Sequence, residues 1–199
     1  MPADQLDALL AAVRSTVGSL EAMDGYAGIA VLADRESNRV SVVTYWDTEE
    51  AMQASEEAAA KARESVSSGA PGLSVTEVDR LEVVLRERVG PPGSKTFARV
   101  VDTRVAPQRL DELVALVRDE AVPVARAQPG FRAAMMSINR ATGRAIAASV
   151  YDSAAEREAS DAALAPVRER VRAAVPSQST TVNRYEVILA EIKLPATAA

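Results

Sequence analysis

Two pairs of residues in this chain could hold a flat organic molecule: Thr44 with Trp46, and Ser149 with Tyr151. In each, a hydroxyl stands two residues before a large aromatic. On an extended strand that spacing puts both side chains on one face. An aromatic wall beside a hydroxyl suits a planar ligand carrying an oxygen. A further set is Arg80 with Glu82, repeated as Arg184 with Glu186. Facing inward, these would be buried ion pairs able to polarise a carbonyl or a phenol. Facing outward, they make a charged surface ladder. The outward arrangement is preferred, because charged side chains are seldom buried. Trp46 and Tyr151 also have a plainer role open to them, as plugs in a core that large aromatics commonly fill.

What is missing narrows the chemistry further. The 199 residues contain no Cys and no His. That excludes disulfides, thiolate nucleophiles, Cys/His zinc sites, Ser–His catalysis and a histidine haem ligand. No cofactor is expected. A net charge of -5, with Arg scattered among acids, argues against nucleic acid as a partner. No apolar run approaches membrane-spanning length, and the N-terminal segment does not read as a secretory signal, so no membrane partner and a cytoplasmic location are expected. Acids such as Asp47, Glu49 and Glu50 fit a helix N-terminus better than a metal cluster.

The elements that position these residues occur twice. Gly25–Asp47 returns as Gly130–Asp152, with Gly25, Arg35, Arg39 and Asp47 recurring as Gly130, Arg140, Arg144 and Asp152 at one offset. Before each copy lies an amphipathic helix, with Leu6, Leu9, Leu10, Val13 and Val17 matched by Leu110, Leu113, Val114, Val117 and Val124. Each copy reads as a strand, a hairpin turn with Asn38 or Gly143 able to take positive φ, and a second strand. A helix follows, with capping-box spacing at Asp47/Glu50 and at Ser153/Glu156. Pro71 and Pro176 stop those helices, and a last strand carries the Arg-x-Glu pairs.

Gly90–Ser94 reads as a linker, so the division is 1–89, 90–95 and 96–199. Strand Thr96–Val105 opens the second copy and has no counterpart in the first. Copy two is β-α-β-β-α-β, the ferredoxin-like split motif, and copy one lacks its first strand. The class is α+β: two tandem ferredoxin-like repeats whose bare sheet faces close into a dimeric-type α+β barrel. The chain would act as a monomeric pseudo-dimer or as a homodimer. Backbone groups beside the missing strand need partners: either the gene product begins upstream of Met1, or another segment fills the place, with Leu189–Pro195 as a candidate. On strand alternation, Trp46, Thr44 and Val42 share one face, as do Tyr151, Ser149 and Ala147. The greasier alternate set Val150, Ala148 and Ile146 is assigned to the helix side, which sends Trp46 and Tyr151 into the barrel.

At this point the chain resembles the antibiotic-biosynthesis monooxygenase family of dimeric α+β barrels. The resemblance is carried by Gly25-Tyr26 and Pro129-Gly130-Phe131, and by TYWDTEEAM (44–52) and SVYDSAAER (149–157), with Trp46-Asp47-Thr48 similar to the family's Trp–acid–Ser/Thr step. It implies a cofactor-independent monooxygenase acting on an aromatic, quinol- or anthrone-like substrate held near Trp46, Tyr151, Thr44, Ser149, Arg80 and Arg184. The alternative is a non-catalytic small-molecule-binding or interaction protein on the same scaffold. The family's haem-degrading branch joins its Trp to a helix-two His and a first-strand Asn. Here Glu57 and Ala162 lie near the His position, and strand 96–105 has no Asn. That branch is disfavoured.

Overall fold

A computed structural model describes residues 3–69, 74–89 and 95–193. The chain is α+β and forms two compact units, one holding the residues up to Asp79 with a segment from Ile188, the other Arg80–Val187. Pro71 and Gly90–Ser94 lie outside the described residues.

In the first unit, α1 (Ala3–Glu21) presents Leu6, Leu9 and Val13 to Ile29, Val31 and Ala33 of β1 (Tyr26–Asp34), and these six form its core. Gly25 turns the chain between them at φ 76°. β1 runs antiparallel to β2 (Arg39–Trp46). Their hairpin closes through Asn38 at φ 56°, while the Asp34 carboxylate accepts from the Glu36 and Ser37 amides. The next helix starts with Thr48 as its cap, accepting from the Ala51 amide at 3.1 Å. The cap is thus Thr48 and not the Asp47 of the expected capping box, because the helix begins one residue later. It is interrupted at Ser55, whose hydroxyl donates back to the Met52 carbonyl, giving α2 (Glu49–Ala54) and α3 (Glu56–Gly69).

The second unit is a five-stranded antiparallel sheet in the order β7-β4-β6-β5-β3, made of β3 (Glu82–Arg88), β4 (Thr96–Arg104), β5 (Phe131–Asn139), β6 (Arg144–Tyr151) and β7 (Ser179–Ile192), the last contributing residues through Val187. The four strands β7-β4-β6-β5 have the ferredoxin-like order. Helices α4 (Leu110–Leu116) and α5 (Val122–Arg126) are joined by a π turn at Val117–Ala121. Pro123, which cannot donate to the carbonyl four residues back, accounts for that turn. α6 (Ala154–Ala174) carries the expected capping box: Ser153 accepts from the Glu156 amide at 3.1 Å and bonds the Glu156 carboxylate at 2.8 Å. Leu110, Leu113 and Leu164 of these helices pack on Phe131, Met136 and Tyr151.

Each repeat gives its last strand to its sister. β3 closes the first repeat in sequence yet pairs with β5, and the end of β7 lies along β1, where the Lys193 amide donates to the Ala27 carbonyl at 2.8 Å. Gly28, at φ 140°, accepts that approach because a side chain there would collide with the Glu191 carbonyl. This corrects the expectation for Leu189–Pro195. Its described residues border β1, whereas the missing first strand belongs beside β2, by analogy with β4 beside β6. No described strand flanks β2 on that side.

Tyr151 also departs from expectation. It sits in the core beneath α4, α5 and α6, with Ala145 and Ala147 of its own face. The greasier-looking alternate face of β6 is therefore the one turned away from the helices. Bulk on this face, with Phe131 opposite Tyr151, Met136 opposite Ala147 and Ile138 opposite Ala145, outweighs the small difference in polarity between the two sets.

Candidate functional site

In the first unit β2 delivers Thr44 and Trp46 to one face, opposite Ile29 and Tyr26 of β1. Ile29 belongs to the core under α1, so this is the helix-side face. Trp46 Nε1 donates to Thr44 Oγ1 at 3.3 Å, and the Tyr26 ring meets the indole edge-on with centroids 5.5 Å apart. Trp46 is half-buried, and neighbouring Val42 is 45% exposed. The Tyr26 hydroxyl is buried without a hydrogen-bond partner. Burial first, then the charges of Glu21 and Glu191, push its pKa up to about 12. At neutral pH it is a phenol that can donate a proton in a hydrogen bond but cannot act as a base.

A groove of about 540 Å³ runs between α1 and α2–α3, lined by Ser15, Thr16 and Ser19 on one side and by Ala58, Lys61 and Ala62 on the other. None of the six residues singled out from the sequence lines it. Glu57, near the position of the family histidine, does line it and pairs with Lys61 at 2.7 Å, both well exposed.

The matching place in the second unit is filled. Tyr151 is 0% exposed, with the Phe131 ring edge-on at 6.0 Å and the Arg99 guanidinium 5.7 Å from its centroid. Arg99 is 2% exposed; it donates to the Arg157 carbonyl and to Ser160 Oγ at 2.9 Å, and pairs with Asp161 at 3.0 Å. Arg99 Nε and Nη1 and the Tyr151 hydroxyl are buried without hydrogen-bond partners. Ser149 lies opposite Arg99 on β4 and Ala134 on β5. Arg184 reaches α6, pairing with Glu158 at 3.1 Å and Asp161 at 3.5 Å. Tyr151, Ser149 and Arg184 therefore share one helix-side face with Arg99.

Arg80 stands apart and exposed, its carbonyl accepting from Asn139 Nδ2, while Glu82 pairs with Arg140 at 2.8 Å. Arg99 and Asp161 escaped the sequence reading. Arg99 had a signal: it is an arginine in the first-strand position of a motif whose strand three carries the aromatic. Asp161 had none, being one acid among several on a charged helix. No group of His, Cys, Asp and Glu suited to a metal occurs among the described residues, and none of their helices is long and apolar enough to cross a membrane.

An antiparallel α+β unit with this strand order defines a ferredoxin-like fold. Residues 1–72 match the family model described as antibiotic biosynthesis monooxygenase. Two uncharacterised Mycobacterium tuberculosis proteins are similar to it. One is 26% identical over 192 residues, covering 96% of this chain and 80% of the relative. The other is 28% identical over 149 residues and 74% of this chain; that match spans 66% of the relative's length.

Among solved structures, an anthrone oxidase-like protein superposes with TM-score 0.67 at 19% identity, covering 97% of this chain and 91% of its own. A proposed monooxygenase from Fusobacterium nucleatum gives 0.70 at 13% identity, with 97% and 90% covered. A monooxygenase-like protein from Listeria innocua gives 0.54 at 8%, with 87% and 85% covered. These establish the shared fold.

Proposed function

We propose that the chain is a monooxygenase-type protein that receives a planar aromatic substrate against Trp46 of the first unit and oxidises it without flavin or metal. One observation carries this. The half-buried indole of Trp46, anchored by Thr44, leaves a helix-side aromatic accessible, where its counterpart Tyr151 is closed off. The likeness to an anthrone oxidase-like protein supports the substrate class. In such a reaction the substrate supplies the electrons. A methylene flanked by aromatic rings loses a proton to water and then transfers electrons to O2. The CH2 becomes C=O, one oxygen atom staying in the product and the other leaving as water. Thr44, whose oxygen already accepts from Trp46, can still donate its O–H to the substrate oxygen. Tyr26 offers a second neutral donor, and both favour the enolate form.

The test is oxygen uptake with a reduced anthrone and no added flavin or metal. Turnover is expected, and is expected to vanish in Trp46→Ala with the circular dichroism spectrum unchanged. A second reading is favoured by the lack of any histidine base and by Tyr26 staying protonated: a binder without catalysis. Saturable quenching of the single tryptophan with no oxygen consumed would select it.

A further inference from the structure

We infer that the second unit binds a small monovalent anion, of the size and charge of chloride, in a buried arginine cluster where α6 packs on β4 and β7. Arg99 is 2% exposed and Arg157 8%. The contacts of Arg99 with the Arg157 carbonyl, Ser160 Oγ and Asp161 all fall on Nη2. Arg157 reaches the Tyr185 carbonyl with Nη1 and Glu158 with Nη2. Arg99 Nε, Arg99 Nη1, Arg157 Nε and the Tyr151 hydroxyl are buried with no hydrogen-bond partner. A guanidinium only donates, so what its nitrogens lack is an acceptor. The need is strong, because an unmet charged donor in a low-dielectric interior costs more than a neutral one.

Charge selects the ligand. Asp161 is shared by Arg99, Arg168 and Arg184 at 3.0, 3.2 and 3.5 Å. Glu158 is shared by Arg157 and Arg184 at 3.0 and 3.1 Å. Four guanidiniums thus lean on two carboxylates, and Glu186, two residues along β7 from Arg184, is engaged by Lys95 at 3.4 Å. Among the described residues the cations around the cluster therefore outnumber the acids. Arg157 also lies near the N-terminus of α6, whose unpaired amides add positive potential. Water would meet the donors and leave that excess charge in place; an anion answers both. Burial sets the size. Every unmet donor belongs to a residue no more than 8% exposed, so the ligand leaves water entirely, at a cost that rises steeply with its charge. A single-atom, singly charged ion loses least. Nothing in this depends on the oxidation proposed for the first unit.

The probe is chloride, added to the whole protein with sodium gluconate holding the ionic strength constant while amide hydrogen exchange is followed. An ion bound only by the folded chain raises the folded-to-open ratio in proportion to its concentration, so going from about 10 to about 200 mM chloride should slow the β4 amides about tenfold. The effect should be absent in Arg99→Met and kept in Arg172→Met, where the arginine lost is an exposed partner of Glu169. No slowing by chloride overturns the inference, as does slowing of equal size in Arg99→Met. Should Arg99→Met fail to fold, crystals of the parent soaked in bromide decide. An anomalous peak in contact with Arg99 Nε or Nη1 upholds the site. Density there without anomalous signal, a buried water, overturns it, and so does the absence of any density.

Discussion

Trp46 and Tyr151 are the same position of one repeated unit, and they live in different surroundings. Tyr151 is sealed beneath three helices with Arg99 across its face, while Trp46 is half-buried beside a strand edge. The difference traces to one element. β4 brings Arg99 under α6, where Asp161 and Ser160 hold it. No described strand does this for β2. The same motif has therefore become a filled, charged core in one unit and an open shelf in the other. Duplication preserves the frame, and the neighbouring strand decides whether the aromatic is structural or available.

The largest effect that would sharpen this contrast is on stability. Tyr151→Ala should cost about 3–5 kcal/mol, the range for emptying a buried aromatic site, against about 1 kcal/mol for Trp46→Ala, with both measured by urea unfolding. Equal losses would break the comparison. Arg99→Met should cost about 2 kcal/mol in the same assay. That is below the usual toll for stranding a buried charge, because Asp161 is 26% exposed and keeps Arg168 and Arg184 as partners. The caps test what the two units share: Thr48→Ala and Ser153→Ala should each cost about 1 kcal/mol.

The smallest effect at neutral pH comes from Tyr26. Its folded pKa is raised from 10.0 to about 12, so its contribution to stability is complete below pH 10 and is lost as pH rises toward 12. A tyrosinate absorbance titration should show one group ionising near 12 that disappears in Tyr26→Phe, and that variant should lose less stability between pH 10 and 12 than the parent.

Much of the frame was legible in the chain itself. The recurrence of Gly25–Asp47 as Gly130–Asp152 locates both hairpins, and Asn38 and Gly143 do take positive φ. The Ser153–Glu156 box was readable because two residue types at a fixed spacing satisfy each other locally. The facing of β6 was not, because both of its faces are built from small residues and only the partners across β5 break the tie. The Arg99–Asp161 pair was hidden for a related reason. Its members are 62 positions apart (161 minus 99), and nothing local marks which arginine will be buried. The break at Ser55 depends on a hydroxyl competing for a carbonyl one turn back, an outcome that residue type alone leaves open.

The exchange of last strands has a consequence for synthesis. β1 leaves the ribosome about 160 residues before the segment that lines it, Ile188–Ile192. The first unit must therefore wait, with one flank of its hairpin bare, until that segment has emerged. A ribosome stalled shortly before residue 188 should hold a second unit that is already protease-resistant and a first unit that is still cleaved.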